Sequence, residues 1–238
     1  MANRTDFVVD SVFLKETANQ LMPAMIKGFV HAKEELIRIQ QALSSGELKP
    51  ESIMKAILTG KEDEILEIAD RLKVLPDLII FVFGHLMKPF IENMAETIVP
   101  LSQEIQWSKG YCPICGSWPG LAFLKEESGK RWLRCSFCGQ QWSFPRTVCP
   151  FCENDDQYKL QYFSPEDRKV ERAEVCLECR KYLICLDLRE CSERIIPEVA
   201  SIAALYLDIL LQEKGFWPSP QEHGPVFFSE GKGGRFKV

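Results

Sequence analysis

Eight of the ten cysteines in this 238-residue chain fall into four Cys-x-x-Cys pairs: Cys112 with Cys115, Cys135 with Cys138, Cys149 with Cys152, and Cys176 with Cys179. Such a turn places two sulfurs on one side of a tight loop, where both ligate one tetrahedral ion and backbone N–H groups hydrogen-bond the thiolates. Two turns complete a four-sulfur site, so the chain is expected to hold two metal ions, with all eight cysteines as ligands. Consecutive pairing is the simplest, 112/115 with 135/138 across 19 residues and 149/152 with 176/179 across 23. An interleaved arrangement satisfies the same count. Tetrahedral sulfur suits iron and zinc equally, and the spacing does not choose between them.

No other residues assemble an apparatus for catalysis. Cys185 lies in an apolar run and reads as a small core residue, while Cys191 stands at a junction. The only histidines, His31, His85 and His223, are remote in sequence from the cysteines. There is no P-loop, dinucleotide glycine fingerprint, hydrolase elbow or zincin motif, so neither catalytic residues nor an organic cofactor are expected. The net charge of −5 argues against a phosphate-backbone surface, and the N-terminal residues form no hydrophobic signal core. A cytoplasmic protein is expected, with no nucleic acid bound. The longest apolar run, 78–87, contains Gly84 and His85 and falls short of the roughly 18 residues of a membrane span, so no membrane insertion is expected.

The elements that must position the cysteines divide the chain into three parts. Residues 1–109 contain no cysteine, carry 12 basic against 16 acidic residues, and read as a helical domain. Met22, Met25, Phe29, Ala32, Leu36, Ile39 and Leu43 lay one stripe along a single helix ending at Ser44, Ser45 and Gly46. Ile65, Leu66, Ala69 and Leu72 mark a second helix, and Pro76 opens a third that Pro89 kinks or restarts. Residues 110–190 hold nine cysteines and balance 12 basic with 12 acidic residues. Strand signals at 121–124, 131–134, 159–163, 170–175 and 182–186 predict short antiparallel hairpins. Residues 191–238 begin with a helix over about 197–214, buried on more than one side, and end in an irregular tail. The fold class is α+β: a helical domain, a domain of two rubredoxin-like or zinc-ribbon β units, and a closing C-terminal helix.

The Cys-Pro-x-Cys-Gly form of Cys112–Gly116 resembles a rubredoxin knuckle. In order, Cys112 to Pro119, Arg131 to Cys138, Trp142, Arg146 and Cys149 to Cys152 resemble the formate dehydrogenase accessory protein family, FdhE. Residues 172–183 with Asp187 resemble that family's fourth cysteine pair and following strand, and residues 205–216 its C-terminal helix. One departure is Ile184, where the family usually has a lysine after Tyr-Leu. The resemblance implies a cytoplasmic, non-catalytic maturation factor with rubredoxin-like sites that binds the catalytic subunit of a molybdenum- or tungsten-dependent formate dehydrogenase. Two other functions fit the residues alone. One is a rubredoxin-like electron carrier, and the other is a zinc-ribbon nucleic-acid module using Trp132, Trp142, Arg131, Arg134 and Arg146. The residues do not set the oligomeric state.

Overall fold

A computed structural model describes residues 11–102, 107–165, 168, 170–191 and 195–218, with side chains omitted at 98–102. Five α-helices come first: α1 (Ser11–Gly28), α2 (Lys33–Ser45), α3 (Pro50–Thr59), α4 (Glu62–Leu72) and α5 (Pro76–Ser102). Six strands follow, β1 (Pro119–Lys125), β2 (Lys130–Cys135), β3 (Gln141–Ser143), β4 (Leu160–Phe163), β5 (Glu171–Cys176) and β6 (Tyr182–Asp187), and then α6 (Pro197–Ala203) and α7 (Leu205–Glu213). Two compact units divide the chain, with the boundary between Met94 and Ala95 inside α5.

In the helical unit the stripe from Met22 to Leu43 is not one helix. It breaks at Phe29, and a 3₁₀ turn, Val30–Ala32, separates α1 from α2, which pack against each other. The apolar spacing continues through the break, which is why periodicity alone missed it. Phe29 is exposed, though its ring meets Phe81 edge-on at 5.3 Å. Pro89 neither ends nor restarts α5, which continues through it. Ile79, Val82, Phe83, Leu86, Met87 and Ile91 of α5 are buried, making this the central helix of its unit. By length and composition it is also the one described helix apolar enough to cross a membrane. The ends of neighbouring helices are satisfied by side chains. Arg38 donates to the carbonyls of Leu72 (3.1 Å) and Lys73 (2.7 Å) at the end of α4, and the Glu35 carboxylate accepts the Leu75 N–H (2.9 Å) before α5.

The second unit is built on one six-stranded sheet of order β3-β2-β1-β6-β5-β4. The expected antiparallel hairpins are present, but β1 and β6 pair in parallel, with Ala122 opposite Cys185, and this joint merges two three-stranded ribbons into one sheet. Side chains alternate across it. Leu121, Phe123 and Leu186 on one face pack with Trp132, Ile195 and Ala200, while Ala173, Val175 and Tyr182 pack with Leu207, Leu211 and Phe216. The expected single C-terminal helix is two, divided at the buried Ala204. The helices cover only one face of the sheet. They leave Val199, Ile202, Leu205 and Ile209 more than half exposed, so the expectation of burial on several sides is not met.

Candidate metal centres

The four cysteine turns share one backbone construction. In each, the N–H of the first cysteine donates to the carbonyl five residues on: Cys112 to Ser117 (2.8 Å), Cys135 to Gln140 (2.8 Å), Cys149 to Asn154 (2.8 Å) and Cys176 to Lys181 (2.9 Å). Four residues after each first cysteine the chain turns left-handed, at Gly116 (φ 74°), Gly139 (φ 69°), Glu153 (φ 59°) and Arg180 (φ 59°). Glycine takes this conformation without strain, whereas Glu153 and Arg180 adopt it against a steric cost of about 1 kcal/mol. Arg180 is compensated by bonds to the carbonyls of Lys214 and Gly215 and by stacking on Phe216 (4.2 Å). Glu153 has an exposed ion pair with Lys109 (2.8 Å), which is worth little. Glu153→Gly should therefore raise stability slightly, by up to about 0.5 kcal/mol once glycine's unfolded-state entropy of roughly 0.5–1 kcal/mol is set against the relieved strain, read as a higher denaturation midpoint. A lower midpoint would show that the carboxylate matters more than the backbone.

The structure brings the cysteines together consecutively. Cys112, Cys115, Cys135 and Cys138 form one cluster, and Cys149, Cys152, Cys176 and Cys179 the other, each with its sulfurs within 4.8 Å of one another. Separations of 3.6 Å (Cys112–Cys138), 3.4 Å (Cys115–Cys135), 3.8 Å (Cys149–Cys179) and 3.7 Å (Cys152–Cys176) approach the edge of a tetrahedron with metal–sulfur bonds of about 2.3 Å, which is about 3.8 Å. Backbone N–H groups of Phe137 and Cys138 point at the Cys135 sulfur, and that of Phe151 at Cys149, all at 3.4 Å. The donor set thus fits iron or zinc, and either cluster could hold an ion.

The electrostatics favour a cation. In the first cluster the hydrogen bond with Cys115 raises the Cys112 thiol and that with Cys112 raises Cys138, while the Cys112 contact lowers Cys115. In the second, burial pushes Cys149 up, and Cys179 up to about 11. Four thiolates do not coexist in such a space unaided, and a divalent ion supplies the missing charge. The clusters differ in access. All four cysteines of the first are buried, whereas Cys152 of the second is exposed and Cys179 half-buried.

Aromatic and charged side chains hold the two clusters in one framework. Trp107, Tyr111, Trp118 and Phe151 make a chain of ring contacts at 5.2, 6.0 and 5.9 Å, running from the first knuckle to the third. Gly110 passes so close to Pro150 that a β-carbon there would lie 1.8 Å from the proline carbonyl oxygen. Arg131, 3% exposed, pairs with Glu174 (2.7 Å) and donates to the carbonyls of Pro145 and Val148, fastening the first ribbon to the second and to the segment leading into Cys149.

Three of the five residues suggested for nucleic-acid contact do other work. Arg131 and Trp142 are buried, Trp142 donating to the Lys109 carbonyl (3.1 Å), and Arg134 pairs with Glu198 (3.0 Å). Cys185 is buried at the β1–β6 joint, as its apolar run suggested. His31 and His85 are exposed in the helical unit, His85 bonding the Phe81 carbonyl (2.8 Å), and His223 lies outside the described residues. The role of Arg131 escaped the sequence reading, and no local signal marks it, because an arginine in a strand is ordinarily read as solvated.

A helical unit and a duplicated ribbon carrying two Cys₄ clusters define a helical-plus-ribbon protein with two candidate metal centres. Residues 111–146 match the family described as "FdhE, central domain". An FdhE homologue from Aquifex aeolicus is 32% identical over 143 residues, covering 59% of this chain and 50% of that protein. One from Haemophilus influenzae is 29% identical over 148 residues, covering 60% and 47%. The chain spans about half the length of these curated relatives. The crystal structure of the FdhE protein from Pseudomonas aeruginosa has the same fold, with a TM-score of 0.63 at 23% identity over 94% of this chain and 75% of that one. The chain is thus similar to FdhE proteins over its cysteine-bearing part, and shares the fold of one of them.

Proposed function

We propose that this chain is a non-catalytic accessory factor that matures a molybdenum- or tungsten-dependent formate dehydrogenase in the cytoplasm by binding its catalytic subunit. The observation that carries the reading is the pair of Cys₄ clusters on a duplicated ribbon in a chain similar to the FdhE central domain over residues 111–146. Cys112, Cys115, Cys135 and Cys138 would hold one ion, and Cys149, Cys152, Cys176 and Cys179 the other, iron or zinc in each case. Exposed Ile196, Val199, Ile202, Leu205 and Ile209 on and beside α6 and α7 support a protein partner, since scattered single apolar residues are ordinary but a concentration on one pair of helices is not.

The test uses a strain lacking this protein, complemented with wild-type chain or with the Cys135→Ser/Cys138→Ser variant. The deletion should leave the formate dehydrogenase polypeptide synthesised but inactive. Wild-type chain should restore activity and capture the catalytic subunit in a pull-down, and the variant should do neither. Full activity in the deletion strain, together with no captured subunit, would reject the assignment.

A further inference from the structure

The sheet face opposite α6 and α7 bears a cleft of about 290 Å³ beside the second cysteine cluster, with Cys149 and Cys176 in its wall. Five cations line it: Arg131, Arg146, Arg172, Lys181 and Arg189. Two carboxylates answer them. Glu174 pairs with Arg131 (2.7 Å) and Arg172 (3.6 Å), and Asp187 with Arg172 (3.4 Å) and Arg189 (2.6 Å). Arg146 and Lys181 have no carboxylate partner among the described residues, so the positive excess is local even though the surrounding region is neutral overall.

The guanidinium groups also converge. A β-carbon on Gly129 would lie 2.8 Å from Nη1 of Arg146 and 3.6 Å from Nη1 of Arg189, so two like charges crowd the same point with only Asp187 bound to one of them. Within the protein, Arg131 and Arg172 each keep a buried Nε–H without a partner among the described residues. Those two donors are enclosed and cannot reach a ligand, but the like charges of Arg146 and Arg189 brought together at the surface are stabilised by an anion between them. At the mouth, Tyr162 is 68% exposed with its ring 5.7 Å from the Arg172 guanidinium.

We propose that this cleft binds a phosphate-type oxyanion, free or carried on a small organic molecule. A single guanidinium fork satisfies a monocarboxylate, whereas a tetrahedral dianion accepts from several directions at once; Arg146 and Lys181, neither paired with a carboxylate among the described residues, and the Nη1 of Arg189 left over from its fork on Asp187 offer those directions. The volume is at the small end for an organic ligand and too small for a folded partner. The inference stands on the cleft alone and does not depend on the accessory role.

The test is calorimetric titration of the full reduced chain, in low-salt buffer free of phosphate, with inorganic phosphate, pyrophosphate and adenosine monophosphate. One saturable site per chain is expected for at least one probe. Tighter binding of the nucleotide would identify a carried phosphate as the ligand, and equal or tighter binding of the inorganic anions a free one. The exposed pair Arg146→Gln/Arg189→Gln should weaken binding at least tenfold, with only a small fall in the denaturation midpoint from the lost Arg189–Asp187 ion pair, since Arg172 still faces Asp187. Lys15→Gln/Lys55→Gln, in the helical unit, should bind as the wild type. Absence of saturable binding by all three probes at millimolar concentration would overturn the proposal, as would equal weakening by the arginine and lysine pairs.

Discussion

Replacing Cys112 and Cys115 together with serine should lower the metal content of the reduced chain from about two ions to about one, and unfold the first ribbon. Both residues contribute sulfurs to the fully buried cluster. With one knuckle gone, Cys135 and Cys138 cannot hold an ion with structural affinity. In small zinc domains the binding energy of about 10–16 kcal/mol is itself folding energy. The apolar side chains of the first ribbon, among them Leu121, Phe123, Leu124, Leu133 and Phe137, are buried around the cluster on short strands, β3 having only three residues, so their packing depends on the knuckles being closed. Elemental analysis would give the stoichiometry, and loss of near-ultraviolet signal from Trp118, Trp132 and Trp142 would report the ribbon. The second ion should stay, because its four ligands come from other turns. Retention of two ions by the variant, or fewer than two in the wild type, would refute the two-site assignment.

Arg131→Met should destabilise the metal-loaded protein by about 3 kcal/mol, a large effect for one side chain outside a ligand set. Removing the guanidinium strands the Glu174 carboxylate, which keeps only the longer contact to Arg172, and deprives the Pro145 and Val148 carbonyls of their donor. The cost arises from leaving one partner of a buried pair uncompensated, so Arg131→Met/Glu174→Met should recover part of it. Chemical denaturation of the two variants measures the coupling. A loss below about 1 kcal/mol in the single variant would mean that water reaches the pair.

What could be read from the sequence depended on how far apart the deciding residues lie. The knuckles were legible because each is a contact within six residues, written as Cys-x-x-Cys. Five of the six strands announced themselves by β-branched and aromatic runs, while β3, just Gln141, Trp142 and Ser143, is too short to alternate. The parallel β1–β6 joint was invisible, since it matches strands some sixty positions apart and no local pattern records it. The break at Phe29 was missed for the opposite reason, because the apolar spacing runs through it unchanged. Trp142 and Arg131 looked like surface groups by type, and only the assembled sheet shows them to be internal braces. Likewise, Glu153 and Arg180 do not look like left-handed residues, yet they repeat the turn that Gly116 and Gly139 advertise.

The joint between the ribbons has a further consequence. Each ribbon contributes strands in the same order, so β1 is the leading strand of the first and β6 the trailing strand of the second. Their pairing leaves, at the two outer margins of the sheet, β3, a trailing strand, and β4, a leading one. These are the same two kinds of margin that meet inside the molecule. A head-to-tail joint of this type does not close on itself, and repeated from one molecule to the next it would grow an endless filament instead of a dimer. The brevity of β3, at three residues, and β4, at four, is therefore a safeguard against runaway polymerisation: too few backbone groups are offered at either margin to seed another copy.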